Sequence, residues 1–286
     1  MARVNPEPQD SALTLAIADF LSTCRSANTQ AAYRADLGHL ARWCRQDGHL
    51  DLLTIDVDDI ARYRAECETA GASPATVARR LSAIASFSAY TAAAERAPAR
   101  LAGTNIPRPV VAPTSTAELL TDADADALLA AADQRGSRAA VAIRLLMLDG
   151  LKVGEVIRAD ATDVHGQQPH TTVRLRTRPA RTIALHHQTA KALRRYLGRR
   201  RQGPLILSEQ RGRESERLTR FGLDYLVKHV AQTARLEQRI SGNTLRRRYV
   251  TAAHAQGNDL ATIRDNTGHT DTRTTRRYLA HDNDNA

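Results

Sequence analysis

The 286-residue sequence has only three cysteines, Cys24, Cys44 and Cys67, scattered without paired spacing. That argues against a disulfide framework or a zinc site and for buried thiols in a reducing compartment. No apolar run approaches the ~20 residues that cross a bilayer, so no membrane partner is expected. The stretch Met1 to Asp10 is polar with two prolines, unlike a signal or transit peptide, and a cytoplasmic location is expected. A glycine-rich phosphate loop, a dinucleotide fingerprint and a His/Cys metal cluster are all missing, so neither a cofactor nor a metal is expected. Internal repeats and low-complexity tracts are missing too. Lysine is nearly absent: only Lys152, Lys191 and Lys228 interrupt an otherwise all-arginine set of cations.

What is present is positive charge. Lys and Arg total 41 against 31 acidic side chains, a formal net charge of +10. Such an excess favours a polyanion, because neutralising phosphates releases condensed counterions. The first sixty residues are roughly balanced, whereas 174–220 and 235–248 are dense in arginine. Arginine forks bidentately onto phosphate, which suits nucleic acid; a GC-rich genome would give the same bias.

The expected fold class is mainly α with a small β-sheet. In the first hundred residues Leu13, Ile17, Phe20 and Leu21 share a helical face, as do Tyr33, Leu37 and Leu40, with Trp43 close by. Ser73 then Pro74 reads as an N-cap followed by proline at the first helical position, with Val77, Leu81 and Ile84 as the buried stripe. A helical domain of four or five helices over 1–100 follows. Pro98, Pro107, Pro109 and Pro113 then break any periodicity, so 101–117 reads as a linker. A second, α+β domain over 118–286 opens with Thr121 as N-cap and Asp122, Asp124 and Asp126 in the first turn. That acidic run is read as helix capping rather than a Mg²⁺ site. Val141 to Asp149 reads as an apolar helix stopped at Gly150, and 172–176 with 181–185 as a hairpin. Further helices are expected over 189–197, 221–234, 244–256, 260–266 and around Tyr278.

Chemistry concentrates at the C-terminal end. Asn243-Thr244-Leu245-Arg246-Arg247-Arg248-Tyr249 opens a helix, Thr267-Gly268-His269 ends a short one, and Thr274-Thr275-Arg276-Arg277-Tyr278 follows. In this order and at this spacing the boxes resemble the tyrosine recombinase (phage integrase) family, whose motifs read His-x-Leu-Arg-His, Leu-Gly-His and Thr-Thr-x-x-Tyr. Upstream, Asp149-Gly150-Leu151-Lys152-Val153-Gly154-Glu155 resembles that family's Thr-Gly-Leu-Arg-x-x-Glu box. The hairpin 176–185 resembles the one that carries its catalytic lysine, and Thr29 to Trp43 is similar to its helical core-binding domain. The likeness spans nearly the whole chain and is strongest to short, two-domain Xer-like members.

Cleaving a phosphodiester without metal requires a nucleophile, charge on the non-bridging oxygens and an acid for the leaving 5′-oxygen. A phenol suits the first role because a phenolate leaves well enough for religation, but its ordinary pKa of about 10 requires activation. Arginines suit the second, holding oxygens as charge builds in the transition state. The resemblance implies Tyr278 as nucleophile, Arg246 as a phosphate clamp and His269 as a hydrogen-bond donor. It places Lys152 at the first family arginine, Arg176 at the hairpin lysine and Asn243 at the second-box histidine. The first two substitutions keep charge but change geometry: lysine cannot fork, and arginine is a poor acid. Arg34, Arg79, Arg80, Arg178, Arg181, Arg247 and Arg248 are expected to bind DNA.

The resemblance implies a site-specific recombinase acting through a 3′-phosphotyrosine link. Its partners would be duplex DNA with a partly palindromic site and three further copies of itself, a tetramer on two sites. Two other readings share the fold or the chemistry: a catalytically impaired DNA-binding regulator, and a type IB topoisomerase.

Overall fold

A computed structural model of the chain describes residues 8–24, 26–46, 52–53, 55–94, 109, 119–166, 170–177 and 180–279. The interval read as a linker lies outside them except for Pro109, as does Arg178. The chain divides into two compact units, 1–113 and 114–286.

In the first unit four helices are described: α1 (Pro8–Thr23), α2 (Ala27–Gln46), α3 (Val57–Thr69) and α4 (Pro74–Ala93). Their starts are written locally. The Ser73 hydroxyl accepts from the Thr76 N–H at 3.3 Å with Pro74 next, and Asp56 accepts from the Asp58 and Asp59 N–H groups ahead of α3. The apolar faces meet in one core that includes Phe20, Leu37, Leu40, Trp43, Tyr63, Leu81 and Phe87. Phe20 packs edge-on against Phe87, and the Trp43 indole N–H donates to Glu66 at 2.6 Å.

The second unit begins with α5 (Asp122–Arg135) and α6 (Ser137–Met147). Thr121 and Asp124 form a reciprocal cap at 3.0 and 3.1 Å, which is what the acidic run does here. From Ala139 to Met147 every residue of α6 is buried, because α5, α8 and α10 pack around it. Even Arg144 is enclosed, forking onto Asp133 at 2.8 Å through both terminal nitrogens. After it come α7 (Val153–Arg158), β1 (Val164–His165), β2 (Thr172–Leu175), β3 (Arg181–Ala184), α8 (His187–Leu197), α9 (Arg220–Thr233), α10 (Gly242–Ala255), α11 (Leu260–Thr267) and α12 (Thr272–Leu279). The three strands form an antiparallel sheet in sequence order.

The strand register decides which hairpin cations face inward. Val173 pairs with Ile183 and Leu175 with Arg181, and directly paired residues share a face. Val173, Leu175 and Ile183 are buried, so Arg181 points to the core side, while Arg174 and Thr182 point away.

Asp149, at the turn out of α6, is buried and accepts the His186 N–H at 2.6 Å, tying this turn to the start of α8. Burial pushes its carboxyl up to about 7, against the Thr189 hydroxyl and the His186 N–H. A carboxyl raised above its unfolded value binds its proton more tightly when folded, so stability falls as pH rises between about 4 and about 7. Asp149→Asn is therefore expected to gain on the parent across that window, by at most about 1.4 kcal/mol per pH unit in denaturant unfolding. An equal pH slope in both proteins would refute this.

Candidate active site

One pocket in the second unit draws on four separated segments: the start of α7, strand β3, helix α10, and the α11–α12 turn with α12. Arg246 is its deepest cation, 3% exposed. The guanidinium donates from Nη1 to the Gly150 carbonyl and from Nη2 to the Thr267 carbonyl at 2.5 Å. It thus clamps the box at 149–155 to the C-terminus of α11, where unpaired carbonyls favour a cation. Gly150 is required here: its φ is +64°, and a Cβ would lie 2.3 Å from the Tyr249 ring.

Lys152 precedes α7. Its Nζ donates to the Gly268 carbonyl at 2.7 Å, the residue after the one Arg246 holds. Its backbone N–H donates at 2.7 Å to Glu155, which caps its own helix. Burial lowers the pKa of the ammonium, Glu155 opposes this, and Arg246, Arg181 and Arg158 push it down further.

Gly268 ends α11 in the left-handed conformation, φ +61°, and His269 donates its N–H back to the Arg264 carbonyl at 3.1 Å. This turn aims the imidazole inward. Nδ1 of His269 lies 2.9 Å from the buried Thr275 hydroxyl, and the ring stacks on Tyr278 with centroids 5.4 Å apart at 20°. Burial first, then Arg246, Lys152 and Arg181, push His269 down to about 4, so the imidazole is neutral at physiological pH. Tyr278, on α12, is also a hydrogen-bond partner of the Arg246 guanidinium. Its ring and Leu279 pack against Val250, Ala253 and Ile263, which seats α12 on α10 and α11.

Arg181, expected to face DNA, instead floors this pocket. It forks onto Glu155 at 2.7 and 3.0 Å, and that carboxylate is 1% exposed. A Cβ at position 268 would come within 2.2 Å of Arg181 Nη1, so glycine there is a packing requirement as well as a backbone one. Gly268→Ala is expected to lose about 1–2 kcal/mol from the left-handed backbone alone. Unchanged denaturant unfolding would contradict that close approach.

Two other expected pocket residues make none of these contacts. Arg176, one residue past β2, bonds Asp163 at 2.9 Å and Asp160 at 3.0 Å. Alternation turns it to the face opposite Leu175 and Arg181. Asn243 is exposed in the first turn of α10, one turn before Arg246 and on the same side of that helix. Among the residues expected to bind DNA, Arg34 is exposed and Arg79 is half-exposed beside Asp36. Arg80 reaches Cys67 at 3.1 Å, and Arg248 reaches Asp122. Arg247 is 6% exposed, because consecutive helix positions turn by about 100° and this one falls on the core side. Sequence reasoning did not single out Glu155 or Thr275; their motif positions and inward parity were the available signals.

This pocket sits on a fold that known proteins share. Residues 118–285 match the phage integrase family, and residues 18–95 match the phage integrase N-terminal SAM-like domain. The chain belongs to the phage integrase family of tyrosine recombinases. It is 30% identical over 267 residues to the tyrosine recombinase XerD of Pseudomonas aeruginosa, covering 88% of this chain and 86% of the relative. Identity to XerD of Listeria innocua is 27% over 265 residues, 88% of each. Among solved structures, XerH site-specific recombinase bound to its difH substrate superposes with a TM-score of 0.70 at 16% identity, covering 96% of this chain and 94% of that one. A lambda integrase dimer bound to a COC′ core site gives 0.70 at 15% identity, covering 92% and 95%. None of the described helices is long and apolar enough to cross a membrane.

Proposed function

We propose that this chain is a site-specific DNA recombinase that breaks and rejoins strands through a 3′-phosphotyrosine bond at Tyr278. One observation carries the reading: Tyr278, His269, Arg246 and Lys152, from separate segments, converge on one electropositive pocket. The Tyr278 oxygen attacks phosphorus and loses its proton to water; the bond to the 5′-oxygen breaks and that oxygen gains a proton. Religation is the reverse, so no external energy source is needed. Arg246 stabilises the non-bridging oxygens. His269, neutral, is a hydrogen-bond donor: with the Thr275 hydroxyl donating to Nδ1, the ring proton sits on Nε2, free for the phosphate.

Lys152 supplies both a point charge and the proton for the 5′-oxygen. Arg246 and Arg181 are too basic to donate, and Arg176 is committed to Asp160 and Asp163. A lysine with a lowered pKa is the better acid near neutrality. Arg34, exposed, and Arg79, half-exposed beside Asp36, are DNA contacts of the first unit.

Exchange needs two cut sites, hence four protomers on two partly palindromic duplexes. The test is a plasmid carrying two copies of DNA that flanks the chain's own gene. Site-dependent recombinant circles are expected. Relaxation of plasmid lacking the site would mark a topoisomerase, and binding without products a DNA-binding regulator.

A further inference from the structure

Arg181 stands where the two halves of the pocket meet, and its partner explains why. We propose that Arg181 is a positioning residue whose task is to neutralise Glu155, so that this buried carboxylate does not draw the Lys152 ammonium away from the scissile phosphate. This rests on the recombinase reading above and deepens it.

Glu155 is a fully buried carboxylate, and a buried charge must be paired. Three cations surround it. Lys152 and Arg246 both feel its charge, but the bidentate fork is Arg181's alone. Both Arg181 terminal nitrogens are spent on the buried Glu155 carboxylate, a charge pair that a phosphate would have to break, whereas those of Arg246 meet neutral backbone carbonyls. Glu155 also accepts the Lys152 backbone N–H, and Lys152 reaches across to the carbonyl of Gly268, whose Cα rests on the Arg181 guanidinium. The contacts close a ring: Arg181, Glu155, Lys152, Gly268 and back to Arg181. His269 follows directly on this ring. Without Arg181, the nearest replacement counter-ion for Glu155 is Lys152, whose ammonium would swing from the pocket mouth onto the carboxylate. The lysine at 152 makes this matter more, because a flexible point charge is diverted more easily than a planar fork.

The test compares Arg181→Gln, Glu155→Gln and the double variant. It measures DNA affinity and the rate of covalent complex formation on a nicked substrate at saturating protein. Arg181→Gln is expected to slow cleavage ~100-fold, the scale of a misplaced catalytic group, with little change in affinity. The double variant is expected to recover most of that loss, since the amide that Glu155→Gln introduces needs no counter-ion and still accepts from the Lys152 N–H. It also removes the buried lone carboxylate, so it remains informative if Arg181→Gln fails to fold. Three results would overturn the proposal: parental cleavage by Arg181→Gln, a loss of affinity matching the loss of rate, or a folded double variant no faster than the single. Absence of any adduct in the parent would instead sink the recombinase reading itself.

Discussion

Tyr278→Phe is expected to form no covalent protein–DNA complex on a nicked suicide substrate while binding that DNA as the parent does. The substitution removes one hydroxyl and leaves the ring that stacks on His269 and packs with Val250, Ala253 and Ile263. Because α12 is held by that ring, the fold and the neighbouring cations stay in place. Only the nucleophilic oxygen and its bond to Arg246 are lost. No other described hydroxyl carries both relations, to the His269 ring and to the Arg246 guanidinium, so no substitute nucleophile is at hand. Gel-shift affinity and denaturing-gel adduct yield, measured side by side, separate the two properties. Adducts that persist in Tyr278→Phe would refute the assignment.

The second large effect belongs to Lys152. Lys152→Ala is expected to slow cleavage about 10²–10⁴-fold, the range of a lost general acid. A substrate with sulfur in place of the bridging 5′-oxygen should recover most of that rate, since a thiol, with a pKa of about 8.5, departs unprotonated. Lys152→Arg discriminates charge from proton: it restores a phosphate fork but cannot donate. It should be slow on the oxygen substrate and fast on the sulfur one. Equal defects of Lys152→Ala on both substrates would leave Lys152 a point charge and place the acid elsewhere.

The elements with local signals were the ones legible in the sequence. Ser73-Pro74 and Thr121 with Asp124 start helices where their side chains satisfy free N–H groups, and the structure has those caps. The two-residue strand β1 escaped sequence reading because two residues carry no periodicity; only pairing with β2 defines it. Helix α7 is six residues long, too short for a periodic signal, and only its first half overlaps the box at 149–155. In the pocket, Tyr278, His269, Arg246 and Lys152, which the family resemblance had singled out, lie together. Arginine runs misled where facing mattered. Arg247 and Arg248 are expected at the DNA, yet Arg247 is buried and Arg248 meets Asp122. The hairpin held the answer in its parity: Arg181 alternates with Ile183, a core residue, so it belonged inside from the start.

The most direct measurement of the central assignment is the chemical location of the covalent bond. The full chain is incubated in EDTA with labelled nicked duplex taken from the DNA flanking its own gene, and the adduct is digested and mapped. The expected result is a single modified peptide, with the 3′-phosphate joined to Tyr278. Tightly bound DNA with no adduct, or an adduct on any other residue, would contradict it.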